Sequence, residues 1–232
     1  IENNAVTHLT EAIGRLAHHP FPVEKTAVVA TFLERLSHHL PFPKSFGARY
    51  FFHPILGPLV QKIARRTLGQ DKAMSAIFSH TVSPTMLQAG YKVNVIPAEA
   101  TGYIDARILP GETPEGFLKK LEPLVGGQVD LELMTSSLPN QSDYDTEFFR
   151  TIERAIKRQD PQAVTAPMMS AGATDSRFFR EKGVISYGII PFLLTPEELE
   201  GLHGKNERVP VGGLEKGMQI LYDIVVETVG RK

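Results

Sequence analysis

A chain of 232 residues with 25 Lys and Arg against 26 Asp and Glu carries a net charge of −1, which offers no whole-chain attraction to nucleic acid or to an anionic membrane. Its 42% apolar and 22% charged content is that of an ordinary globular protein, with material for one large core or two small ones. The absence of cysteine excludes disulfides, thiolate metal ligands and cysteine nucleophiles; it is compatible with a reducing, cytoplasmic setting without proving one, so localisation stays open.

The first half reads as helices followed by a small antiparallel sheet. Apolar residues at Val6, Leu9, Ile13 and Leu16 predict a helix over 4–17, capped by Asn3 or Asn4 and ended by His18-His19-Pro20. The same period predicts helices over 25–40 and 50–68. Extended segments are expected over 79–87 and 88–96, and 101–109 alternates as a strand with Tyr103, Asp105 and Arg107 on one face. Thr113 and Pro114 mark the start of a helix that Gly126-Gly127 ends, and 128–134 alternates again.

Residues 135–142 are polar and read as a linker. Beyond them a helix (145–158), strand (164–169), short helix (174–181), strand (184–189) and long helix (214–229) predict a mostly parallel sheet. The longest apolar stretch, 184–194, is broken by Ser186, Gly188 and Pro191, too short to span a bilayer. Because the sequence starts at Ile1 rather than Met, the natural N-terminus is expected to have been removed.

Four segments stand out chemically. His203, within Leu202-His203-Gly204-Lys205-Asn206-Glu207, looks like one ligand of a metal site, yet no His-x-Asp or His-Glu-x-x-His accompanies it. Gly172-Ala173-Thr174-Asp175 opens a helix. Asn94 lies in Val93-Asn94-Val95-Ile96-Pro97, and Arg107 in Asp105-Ala106-Arg107-Ile108-Leu109-Pro110-Gly111.

Together these segments, with Asn3-Asn4-Ala5-Val6 at the start, resemble the aminoacylase, acetylornithine deacetylase and glutamate carboxypeptidase superfamily of zinc hydrolases, above all its carboxypeptidase-S and N-fatty-acyl-amino-acid hydrolase branch. The resemblance implies a ferredoxin-like lid, often a dimerisation domain, over 1–136 with a helical insertion at about 20–68. It implies a partial α/β/α lobe of the catalytic domain over 137–232. A His-x-Asp pair, a bridging Asp, a Glu-Glu whose first Glu is the general base and a lid His would precede Ile1. His203 carries over as a ligand of a two-metal Zn2+ site left incomplete within this chain.

Each residue also has a plainer reading. Arg107 offers a planar fork for a substrate carboxylate, or a salt bridge to Asp105. Asn94 offers an amide to a carboxylate or polarised carbonyl, or is an ordinary turn residue. Thr174 offers a donor at a helix start, or is a plain N-cap. The aromatic run Phe42, Phe46, Tyr50, Phe51 and Phe52 reads as core or dimer interface; a groove or membrane-surface contact flanked by Lys62, Arg65 and Arg66 is the sharper alternative.

The resemblance thus implies an amide hydrolase that frees an amino acid carboxylate from an N-acyl amino acid or peptide, as a homodimer. The alternatives are a non-catalytic dimerisation module derived from such an enzyme, and a metal-free protein with a decayed site.

Overall fold

The computed structural model describes residues 3–68, 76–170, 172–192, 194–202 and 204–230. The chain divides into two compact units, Ile1–Asn140 with Met168–Ala173, and Gln141–Pro167 with Thr174–Lys232.

In the first unit, α1 (Ala5–His18) begins where Asn4 accepts the Val6 N–H at 2.9 Å. After α2 (Ala27–Ser37) comes a short helix that was not predicted, α3 (Lys44–Tyr50), and the helix predicted over 50–68 forms only from Gly57, as α4 (Gly57–Leu68), after turns over 51–56. The break is held by contacts that a continuous helix would lose: His53 Nδ1 accepts the Ile55 and Leu56 N–H groups, and Gln61 donates to the Phe51 carbonyl at 2.8 Å.

β1 (Thr81–Ala89) pairs antiparallel with β2 (Ala100–Arg107), from Thr81 opposite Arg107 to Ala89 opposite Ala100. Pro84 has no N–H to give the ladder, and the register shifts between it and Met86 as a bulge. α5 (Pro114–Val125) starts as predicted, with Thr113 Oγ1 accepting the Gly116 N–H at 3.0 Å. It stops at Gly126, whose φ of 81° suits a residue without a Cβ. The core places Ala12 and Leu16 of α1 against Phe117, Leu121 and Val125 of α5, with Val82 and Ile104 of the sheet packed onto them.

The second unit is built on α6 (Glu147–Gln159) and α9 (Val211–Val229), joined by Ile152 and Ala155 against Ile220 and Ile224. Arg154 and Arg158 of α6 both reach Glu227 of α9, at 2.7 and 3.0 Å. Two short helices, α7 (Ser176–Glu181) and α8 (Pro196–Glu200), lie between; the sequence reading passed over α8.

Four predicted strands do not form. Residues 88–96 leave the ladder after Ala89, and 128–134, 164–169 and 184–189 are irregular, so no parallel ladder exists among the described residues. A strand needs a paired edge, and side chains take that place for 184–189. Ser142 Oγ accepts the Ser186 N–H at 2.9 Å and donates to its carbonyl, Arg180 donates to the same carbonyl, and Tyr187 stacks on Phe148.

Candidate functional site

Arg107 ends β2 with its side chain 48% exposed. Its Nε and terminal nitrogen donate to the two carboxylate oxygens of Asp105 at 2.6 and 3.0 Å, a two-bond fork between residues on the same strand face. The salt-bridge alternative is therefore the one this conformation adopts. An exposed pair of this kind is worth only about 0–1 kcal/mol. A substrate carboxylate could take Asp105's place at little cost.

Asn94 is exposed on the loop between β1 and β2, in a turn where the Val95 N–H donates to the Lys92 carbonyl. That loop leaves the ladder at Ala89 and re-enters at Ala100, whereas Arg107 pairs with Thr81 at the other end. At about 3.3 Å per residue, β2 separates Arg107 from the base of the Asn94 loop by roughly 23 Å. The hairpin thus has Arg107 at one end of its ladder and the Asn94 loop attached at the other.

Thr174, in the second unit, is exposed and is not the N-cap expected of it. Asp175 already has helical angles (φ −61°, ψ −18°) and takes the cap position. Thr174 supplies only its carbonyl, which accepts the Arg177 N–H at 3.1 Å.

His203 lies outside the described residues. The loop around it turns as tightly as its glycines and Asn206 allow: the Gly204 N–H donates to the Gly201 carbonyl at 2.9 Å, and Asn206 sits in the left-handed region at φ 64°. A shallow cleft of about 210 Å³ beside it is lined by Glu197, Glu198, Gly201, Lys205, Asn206 and Arg208. Glu197-Glu198 is a Glu-Glu pair that the sequence reading missed. Its second carboxylate is used structurally, accepting the Thr195 N–H at 2.8 Å in a capping box that opens α8.

The most constrained titratable group is elsewhere. His80, 3% exposed, accepts the Leu109 N–H on Nδ1 at 3.0 Å and turns Nε2 to Glu24 at 3.1 Å, with Glu112 at 4.0 Å. Phe21 and Phe117 enclose the ring, and Lys120 pairs with Glu112. Burial pushes the imidazole below its ordinary pKa, and Lys120 adds to this, against the pull of Glu24 and Glu112. Lys120 holds the Glu112 carboxyl below its usual range, helped by the Thr113 N–H. Burial could not be read from the sequence, where His80 has no motif and offers at most a polar group of the lid.

Among the described residues, no three His, Asp or Glu side chains are placed to hold a metal ion. The described residues do not by themselves fit one.

Residues 42–227 match the model of peptidase family M20/M25/M40. The chain is 27% identical to human N-fatty-acyl-amino acid synthase/hydrolase, with 94% of this chain and 43% of that protein covered. It is 24% identical to a probable carboxypeptidase S-like 2 of Dictyostelium discoideum, with 97% and 43% covered. A crystal structure of an M20 family metallo-carboxypeptidase from Sulfolobus solfataricus shares the fold with a TM-score of 0.55 at 13% identity, covering 97% of this chain and 56% of that one. The chain thus spans under half the length of these curated relatives. With the family model matched across most of its length, the chain belongs to peptidase family M20/M25/M40.

Proposed function

We propose that this chain contributes to a metal-dependent hydrolase that frees an amino acid, carboxylate intact, from an N-acyl amino acid or peptide. The family match over residues 42–227 carries this reading, and the names of the relatives set the substrate class. In it the first unit is the ferredoxin-like lid and the second is part of the α/β/α catalytic lobe, with the remaining strands and metal ligands supplied from outside these 232 residues.

Within that reading Arg107 exchanges Asp105 for the substrate carboxylate and holds it through two parallel hydrogen bonds. Asn94 donates its amide to the carbonyl oxygen of the bond to be cut, where negative charge develops. Thr174 adds a donor from the start of α7, and His203, as a neutral imidazole, is a zinc ligand. Neighbouring Glu207 and Asn206 are polar groups suited to orient it.

Arg107→Ala tests the reading in the protein that carries the remaining ligands. Its loss should lower kcat/KM for free-acid substrates by the ~1.5–3 kcal/mol of a charged hydrogen bond. The matching carboxyl esters should be affected far less. An equal loss for acid and ester would make Arg107 structural and remove the carboxylate from the reading.

A further inference from the structure

The near-neutral total conceals one strongly uneven segment. Between Glu34 and Asp71 there is no Asp or Glu, while Lys44, Arg49, Lys62, Arg65 and Arg66 all fall there. All five are exposed. Among the described residues no acidic side chain pairs with Lys44, Arg49, Lys62 or Arg66.

The same segment turns large apolar side chains to solvent: Phe42 is 82% exposed, Ile55 81%, Leu59 59% and Ile63 55%. These are not loose ends of a core. The insertion is anchored from behind by buried Phe51, which stacks on Phe78 at 4.7 Å, by Gln61 on the Phe51 carbonyl, and by Arg65 on the Phe21 carbonyl. On α4, Leu59, Lys62, Ile63 and Arg66 follow the i, i+3, i+4, i+7 spacing and so share one outward face, where apolar and cationic groups alternate.

We propose that the outward face of α4, carrying Leu59, Lys62, Ile63 and Arg66 with exposed Ile55 just ahead of it, docks on an anionic lipid bilayer. Two features select that occupant. A second copy meeting this face across a two-fold axis would set cations against the same cations. A small acidic solute would leave Ile55, Leu59 and Ile63 uncovered. A bilayer surface answers both, with phosphates at the depth of the Lys and Arg heads and acyl chains just below for the apolar groups. No helix among the described residues is long and apolar enough to cross a membrane, so the contact is peripheral.

Flotation of the 232-residue chain with vesicles tests this and reads lipid binding, not turnover, so it stands apart from the hydrolase reading. The chain should float with phosphatidylcholine vesicles containing phosphatidylserine, should not float with phosphatidylcholine alone, and should be released in part as salt rises. Lys62→Glu with Arg66→Glu should weaken partition at least roughly 30-fold, about fivefold per cation. Ile55→Ser with Leu59→Ser should remove the binding that survives high salt. All four side chains are exposed, and circular dichroism checks that the variants fold. Equal binding to neutral and anionic vesicles, unchanged binding of the charge variant, or no binding at all would overturn the proposal. So would a polyglutamate peptide binding as tightly as vesicles. A dimer that dissociates on Ile55→Ser with Leu59→Ser while vesicle binding is unaffected would assign the face to a second copy.

Discussion

His80 and Arg107 show how far a single residue's role depends on what surrounds it. The Leu109 N–H points at His80 Nδ1, so protonating that nitrogen would set N–H against N–H in a site sealed by two phenylalanines. Burial, with Lys120 nearby, holds the folded pKa below the ordinary value of about 6.5, and the Leu109 N–H on Nδ1 suits the neutral ring. For a depressed pKa, stability is complete above the unfolded value and is lost as pH falls through the folded one. Urea midpoints should thus decline from pH 7.5 to 5.5. His80→Asn keeps an acceptor for Leu109 without a titrating ring, so its decline should be shallower. Parallel pH profiles for the two proteins would remove His80 as the cause. The residue types left Arg107 open between a substrate carboxylate and Asp105, and the structure shows it on Asp105 at 2.6 Å.

At the scale of elements, local chemistry predicted well wherever both partners of an interaction lie a few residues apart. Asn4, Thr113-Pro114 and Gly126 each do what their types imply, because a cap is a contact within one turn. Strands fared worse, since alternation describes a face and pairing needs a distant partner. Gly217 shows long-range packing overruling local preference. It lies inside α9, where Ala would raise helix propensity by up to about 1 kcal/mol. A Cβ there would stand 3.0 Å from the Pro191 carbonyl oxygen and 3.3 Å from the Phe192 ring. Overpacking typically costs ~1–3 kcal/mol, so Gly217→Ala should lower the urea midpoint despite the better helix. A higher midpoint would mean that the 191–192 segment moves away freely.

For the whole molecule, the hairpin bears on assembly. With roughly 23 Å of strand between Arg107 and the base of the Asn94 loop, one small substrate touched by both is most simply served by Arg107 of one copy and Asn94 of another. Under the roles proposed for Arg107 and Asn94, such a site would exist only in a dimer. Asn94→Ala and Arg107→Ala, each impaired on free-acid substrates in the protein that carries the remaining ligands, should regain activity when mixed, because one site of each mixed dimer then keeps both groups. Absence of any recovery, with subunit exchange demonstrated, would place both residues in a single copy's site.

The sequence by itself determined the family, the longer helices and the caps at Asn4 and Thr113, because ordered motifs and short-range periodicity are written in consecutive residues. The resemblance named the family, and the match over residues 42–227 agrees with it. Only the tertiary structure decided that Arg107 holds Asp105, that Asn94 lies at the far end of the hairpin from it, that His80 is sealed among Glu24, Glu112 and Lys120, and that Phe42 and Ile55 face solvent rather than a core. The last three turn on burial or on contacts between residues distant in sequence, which composition and spacing do not encode; the Arg107–Asp105 pair is local, but spacing alone does not choose it over another carboxylate.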